Sequence, residues 1–156
     1  MASPLPDSTK TLRITVHDLM TSEQRAPLEA ALRGCQAEGR SFSLLLVGGG
    51  DRLPCEMMPR RAIAVGVAPG LSIVGLPSVH IDGACALAES LVRRPSLADG
   101  THIGVAQLMP MCPDLESMLE RAEEALRMAD GGGVGPVVSM HWADVSRDLQ
   151  LAWSDV

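Results

Sequence analysis

From Ser43 to Val47 the chain reads Ser-Leu-Leu-Leu-Val, shortly after Gly39 and just before Gly48-Gly49-Gly50. A strand with one wet face alternates apolar and polar residues. A short run without alternation reads instead as a buried strand. Such a strand needs other strands beside it and helices over it, and the rest of the chain has to supply them.

Both kinds of element are legible. Thr11 to Val16 alternates through Leu12, Ile14 and Val16, a short strand pattern. Thr21 or Ser22 can cap a helix with Glu23 in its first turn. Pro27 falls early enough there to be tolerated, Leu28, Ala31, Leu32 and Cys35 recur at helical spacing, and Gly39 closes the helix. Asp51 to Arg61 reads as a loop. Ala62 to Val67 and Leu71 to Leu76 are strand-like, joined by a hairpin turn at Ala68-Pro69-Gly70. Asp82 is the predicted N-cap of a helix through Arg94, with Ala84, Leu87, Ala88 and Leu91 on one face and Pro95 as its stop. His102 to Gln107 is the next strand. Asp114 caps a helix from Leu115 to Ala129, which Gly131-Gly132-Gly133 ends, and Val134 to Met140 is the last strand. The predicted class is α/β, a mixed sheet flanked by helices. Residues 1–10 are expected to be a disordered lead, 11–140 one domain, and 141–156 a C-terminal tail.

A length of 156 residues suits one core. With no Tyr and one Phe, that core must be aliphatic, and nine Met help fill it. The net charge of -6 and the lack of a basic, aromatic-interleaved stripe argue against a nucleic-acid polymer as partner. Met1 to Lys10 is polar and holds no apolar run, so no signal peptide is expected there, and no stretch is long and apolar enough for membrane insertion. Cys35, Cys55, Cys85 and Cys112 are far apart and are read as reduced thiols of a cytoplasmic protein. The histidines (His17, His80, His102, His141) lack metal-ligand spacing, and neither a metal nor another cofactor is expected.

Several stretches, taken in order, carry a family pattern. Thr101-His102-Ile103-Gly104-Val105-Ala106 is similar to a strand reading S-I-G-V-A. Arg121 to Asp130 is similar to a helix reading A-D-x-A-L followed by A-K. Upstream, Leu76-Pro77, Gly83-Ala84 and Ala86 to Leu91 are similar to L-L-P and A-x-x-L-A-E-x-L-R. His17 to Thr21 resembles D-x-L-T-G-L. Phe42 to Val47 with Asp51-Arg52-Leu53 resembles a first core strand and its D-x-D-x-F. Together these resemble a GGDEF (diguanylate cyclase) domain over about residues 17–140. The resemblance implies a ferredoxin- or nucleotidyl-cyclase-like mixed sheet flanked by helices. The family's two middle helices are shortened or deleted here, because only a short loop separates Asp51 from Ala62.

The resemblance also implies a reaction, the joining of two GTP molecules into cyclic di-GMP, and the departures from the family pattern bear on it. The family's first metal-binding Asp falls on the Gly48–Gly49 region. Its signature turn falls on Ala68-Pro69-Gly70-Leu71-Ser72, where Pro69 lacks a backbone donor and Leu71 replaces an acid. Its phosphate-binding Lys corresponds to Asp130. Phosphoryl transfer rests on positioning and on charge neutralisation by metal ions. Gly48, Gly49, Pro69, Gly70, Leu71, Ser72 and Asp130 are therefore read as vestigial active-site positions with no catalytic residue among them, and the chain is expected not to be an enzyme. Residual activity would have to use Asp51, Glu56 or Asp82.

Two interaction readings follow. A regulatory or scaffolding domain would act through protein contacts, with a protein partner or a second copy. Trp142 and Trp153 in the tail are candidates for that contact, against the alternative that the tail packs back on its own domain. A cyclic di-GMP receptor would use Arg60 and Arg61. They lie where the family places an inhibitory R-x-x-D, although the Asp is missing. Arg127 to Asp130 also spells R-x-x-D, but in a helix, where a surface ion pair explains it. Gly48 to Asp51 is read as a plain turn, since no Gly-Lys-Ser/Thr follows.

Overall fold

The computed structural model describes residues 16–49, 58–93, 101–110, 113–131 and 135–139. The expected lead at 1–10 and the tail with Trp142 and Trp153 lie outside the described residues. The elements are helix α1 (Val16–Leu19), helix α2 (Ser22–Glu38), strand β1 (Phe42–Gly48), strands β2 (Ile63–Ala68) and β3 (Leu71–Pro77), helix α3 (Ile81–Val92), strand β4 (His102–Gln107), helix α4 (Leu115–Gly131) and strand β5 (Val137–Ser139). The strands form one sheet in the order β2-β3-β1-β4-β5. β1 runs antiparallel to both β3 and β4, β2 is antiparallel to β3, and β5 is parallel to β4.

The unalternating run is the central strand, buried from Phe42 through Val47. Its two faces pack against different layers. Phe42, Leu44 and Leu46 join Ile73 and Ala106 under α1, α2 and α4. Leu45 and Val47 join Val74, Leu76, Ile103 and Val105 under α3. The two layers divide bulk in opposite ways. On the α3 side the strands are mostly large, and the middle of the helix is small where it is buried, at Ala84 and Ala88, between the larger Ile81 and Leu91 at its ends. On the other side three strand positions are glycine: Gly48, Gly75 and Gly104. Large side chains or the helix backbone itself lie against them. Ser43, fully buried on the α3 side, is satisfied by donating to the Val79 carbonyl at 2.6 Å.

The cap of α2 is as the sequence suggests. Thr21 Oγ1 accepts the Gln24 N–H at 3.1 Å and Gln24 Oε1 accepts the Thr21 N–H at 2.9 Å, while Gly39 at φ 67 closes the other end. Gln24 also donates to the Gly66 carbonyl on edge strand β2 at 3.1 Å, which ties the helix start to the sheet edge. Pro27 is accommodated within α2.

Several expected boundaries move. Val16 does not end a strand. It opens α1, where its N–H donates to the Glu123 carboxylate at 2.8 Å and its side chain enters the core; residues 11–15 lie outside the described set. β1 continues to Gly48, because Gly48 still pairs with Leu71 and His102. The N-cap of α3 is His80 rather than Asp82. Its Nδ1 accepts the Asp82 N–H at 3.3 Å, and Ile81 is already buried as the first helical residue. α3 ends at Val92, with Arg93 as C-cap, rather than at Arg94. α4 runs to Gly131 rather than Ala129. β5 covers Val137–Ser139, inside the predicted 134–140, whose ends lie outside the described residues. Most of the predicted loop at Asp51 to Arg61 is also outside them. Its last part forms a turn, with the Ala62 N–H donating to the Pro59 carbonyl at 3.0 Å.

Candidate functional site

The hairpin turn and the end of β1 meet at one end of the sheet. Gly70 has φ 73, and Pro69 before it presets the turn; this is the type II pattern of Pro then a positive-φ Gly. The next residue, Leu71, pairs with Gly48, and Gly48 pairs on its other side with His102. Gly49, at φ 78, donates its N–H to the Gly70 carbonyl at 2.8 Å, so β1 is tied to the turn by its backbone. The structure thus brings together Gly48, Gly49, Pro69, Gly70, Leu71 and Ser72. Asp130 is placed on the last turn of α4, four residues beyond Leu126.

Leu126 packs over Gly48. A Cβ at position 48 would lie 3.2 Å from Leu126 Cδ2 and 3.3 Å from Cδ1. The space where a side chain would leave β1 is filled by an aliphatic one from α4. His102, half-buried beside Gly48, is the functional-looking neighbour that sequence reasoning missed. Only the register of β4 against β1 puts it there, and no local motif signals it.

These residues do not fit a divalent cation of the kind phosphoryl transfer uses. Magnesium takes carboxylate and phosphate oxygens, and among the described residues this end of the sheet offers glycine, proline, leucine, Ser72 and His102 but no carboxylate. Among the described residues no group of three or more His, Cys, Asp or Glu is placed to hold a metal ion. Asp82 lies in the first turn of α3, and Asp51 and Glu56 lie outside the described residues.

Arg60 and Arg61 are elsewhere. Both are exposed on the turn that opens β2. The six residues of β2 separate that turn from the hairpin, about 20 Å at strand rise. Neither guanidinium has a hydrogen-bonding or ionic partner among the described residues. Two adjacent exposed guanidinium groups would suit an anionic, planar ligand.

Two titratable groups are displaced from their ordinary values. Burial pushes the Cys85 thiol up, partly offset by a hydrogen bond with Ser139, so Cys85 stays a protonated thiol at neutral pH. Asp114 is held low, first by the Ser117 hydroxyl and then by the Ser117 N–H at 2.8 Å, with His17 adding to the effect. A folded pKa below the unfolded one means stability that is present above the unfolded carboxylate pKa and lost as pH falls through the folded value. Asp114→Ala should therefore cost about 1 kcal/mol at pH 7 and less at pH 3. Urea unfolding of both proteins at the two pH values checks it, and an equal gap at both would remove the cap from the explanation.

No protein-family model matches the chain, and no curated protein matches it. Solved structures do. The active GGEEF domain of a diguanylate cyclase from Vibrio cholerae superposes with a TM-score of 0.61 at 15% identity, over 74% of this chain and 92% of that one. The GGDEF domain of DgcB from Caulobacter crescentus, in complex with c-di-GMP, gives 0.62 at 15%, over 73% and 86%. The GGDEF domain of YfiN from Pseudomonas aeruginosa gives 0.61 at 18%, over 79% and 90%. The chain is thus a mixed α/β domain of the kind those proteins share. Its particular fold is the GGDEF fold, with the five-stranded sheet and flanking helices in place.

Proposed function

We propose that this chain is a non-catalytic GGDEF-fold domain with a regulatory or scaffolding role, acting through protein contacts in bacterial cyclic di-GMP-linked signalling or secretion. The observation that carries the reading is the packing of Leu126 against Gly48. The strand end that the resemblance assigns to a metal carboxylate is occupied by an aliphatic contact. Leu71 in the turn and Asp130 on α4 support it, since neither offers the acid or the lysine the family pattern requires. Removing metal ligands and a phosphate lysine together costs many powers of ten in rate. Incubation with GTP and Mn²⁺ is expected to give no dinucleotide, and any such product would overturn the reading. Co-purification is expected to find a protein partner or a second copy. A strictly monomeric chain without partners would leave the scaffolding role unsupported.

Arg60 and Arg61 favour a second reading, a cyclic di-GMP receptor. Two neighbouring, exposed guanidinium groups are the kind of site a cyclic dinucleotide's phosphates use. Calorimetric titration separates the two readings. No heat with cyclic di-GMP or GTP is expected for the protein-contact domain. Micromolar binding of cyclic di-GMP alone, abolished by Arg60→Ala or Arg61→Ala, would make the chain a receptor.

A further inference from the structure

We draw no further inference here: the strongest candidate, the open groove of about 360 Å³ between α2 and the start of α4 lined by His17, Glu29, Arg33, Gln36, Asp114 and Glu116, is an open surface of mixed charge in which Glu29 already pairs with Arg33 and Asp114 already caps α4, and nothing in the structure marks a ligand there.

Discussion

Gly104→Ala is expected to unfold the domain or to remove at least about 4 kcal/mol of its stability, which is most of the margin of a marginal fold. A Cβ at Gly104 would stand 2.1 Å from the Ala122 carbonyl oxygen, 2.6 Å from the Leu126 N and 3.1 Å from the Leu126 Cα. All three are backbone atoms of α4, so no rotamer change relieves the clash. The helix would have to rise off β4, and every side chain it seats on that face of the sheet would lose contact at once. Gly34→Ala is the matched control. Gly34 lies inside α2 with nothing within 4 Å of a Cβ. That substitution should stabilise by about 0.5–1 kcal/mol, because alanine is the better helix former. Urea unfolding of the two variants measures both. A Gly104→Ala protein within about 1 kcal/mol of the parent would mean that α4 stands farther from β4 than the structure has it.

The same close approach explains what the sequence could and could not convey. A cap at Thr21 or Ser22, the Ser43–Val47 run, the Pro69-Gly70 turn and the Asp114 cap are local signals. Each depends on residues a few positions apart, and each appears where the pattern puts it. The meaning of Gly48 and Gly104 is not local. Gly48 reads as the end of a strand until its register with Leu71 and His102 is known. The space above it belongs to Leu126, far along the chain. Val16 departs from its local pattern for a similar reason. Its alternation with Leu12 and Ile14 suggests a strand, yet its N–H is taken by Glu123, a partner 107 positions away. At the candidate site, legibility came from family pattern at Gly48 and the hairpin turn. The neighbour His102 needed the pairing of β4 with β1. The α3 cap was displaced by a residue type that propensity ranks low: His80 caps because Ile81 must be buried, and this sets the helix start one residue ahead of Asp82.

Leu28→Ala and Gly75→Ala should each destabilise, and together they should cost clearly less than their sum. Leu28 is fully buried, so its truncation leaves a cavity and is expected to cost about 2–5 kcal/mol. Gly75 lies on β3 opposite Leu44. A Cβ there would stand 2.6 Å from Leu28 Cδ2 and 3.3 Å from Phe42 Cζ. Overpacking of that kind costs about 1–3 kcal/mol, somewhat reduced because alanine loses less backbone entropy in a strand than glycine. The clash is with the end of a flexible side chain rather than with backbone, which separates this site from Gly104 and makes it correctable. In the double variant the new methyl group occupies part of the volume that Leu28 vacates, while Phe42, the chain's single Phe, keeps its place. The pair should fall short of additivity by at least about 1 kcal/mol in a double-mutant cycle measured by urea unfolding. Additivity within about 0.5 kcal/mol would show that Leu28 and Gly75 do not compete for the same space. The glycine would then need another cause, such as the strand's own twist. If the coupling is as expected, the glycines on this face of the sheet exist for the helices above them. Gly48 then has a packing reason to be glycine that does not depend on any lost chemistry. Leu126 and Leu28 would then play the same part, filling space over glycines on neighbouring strands.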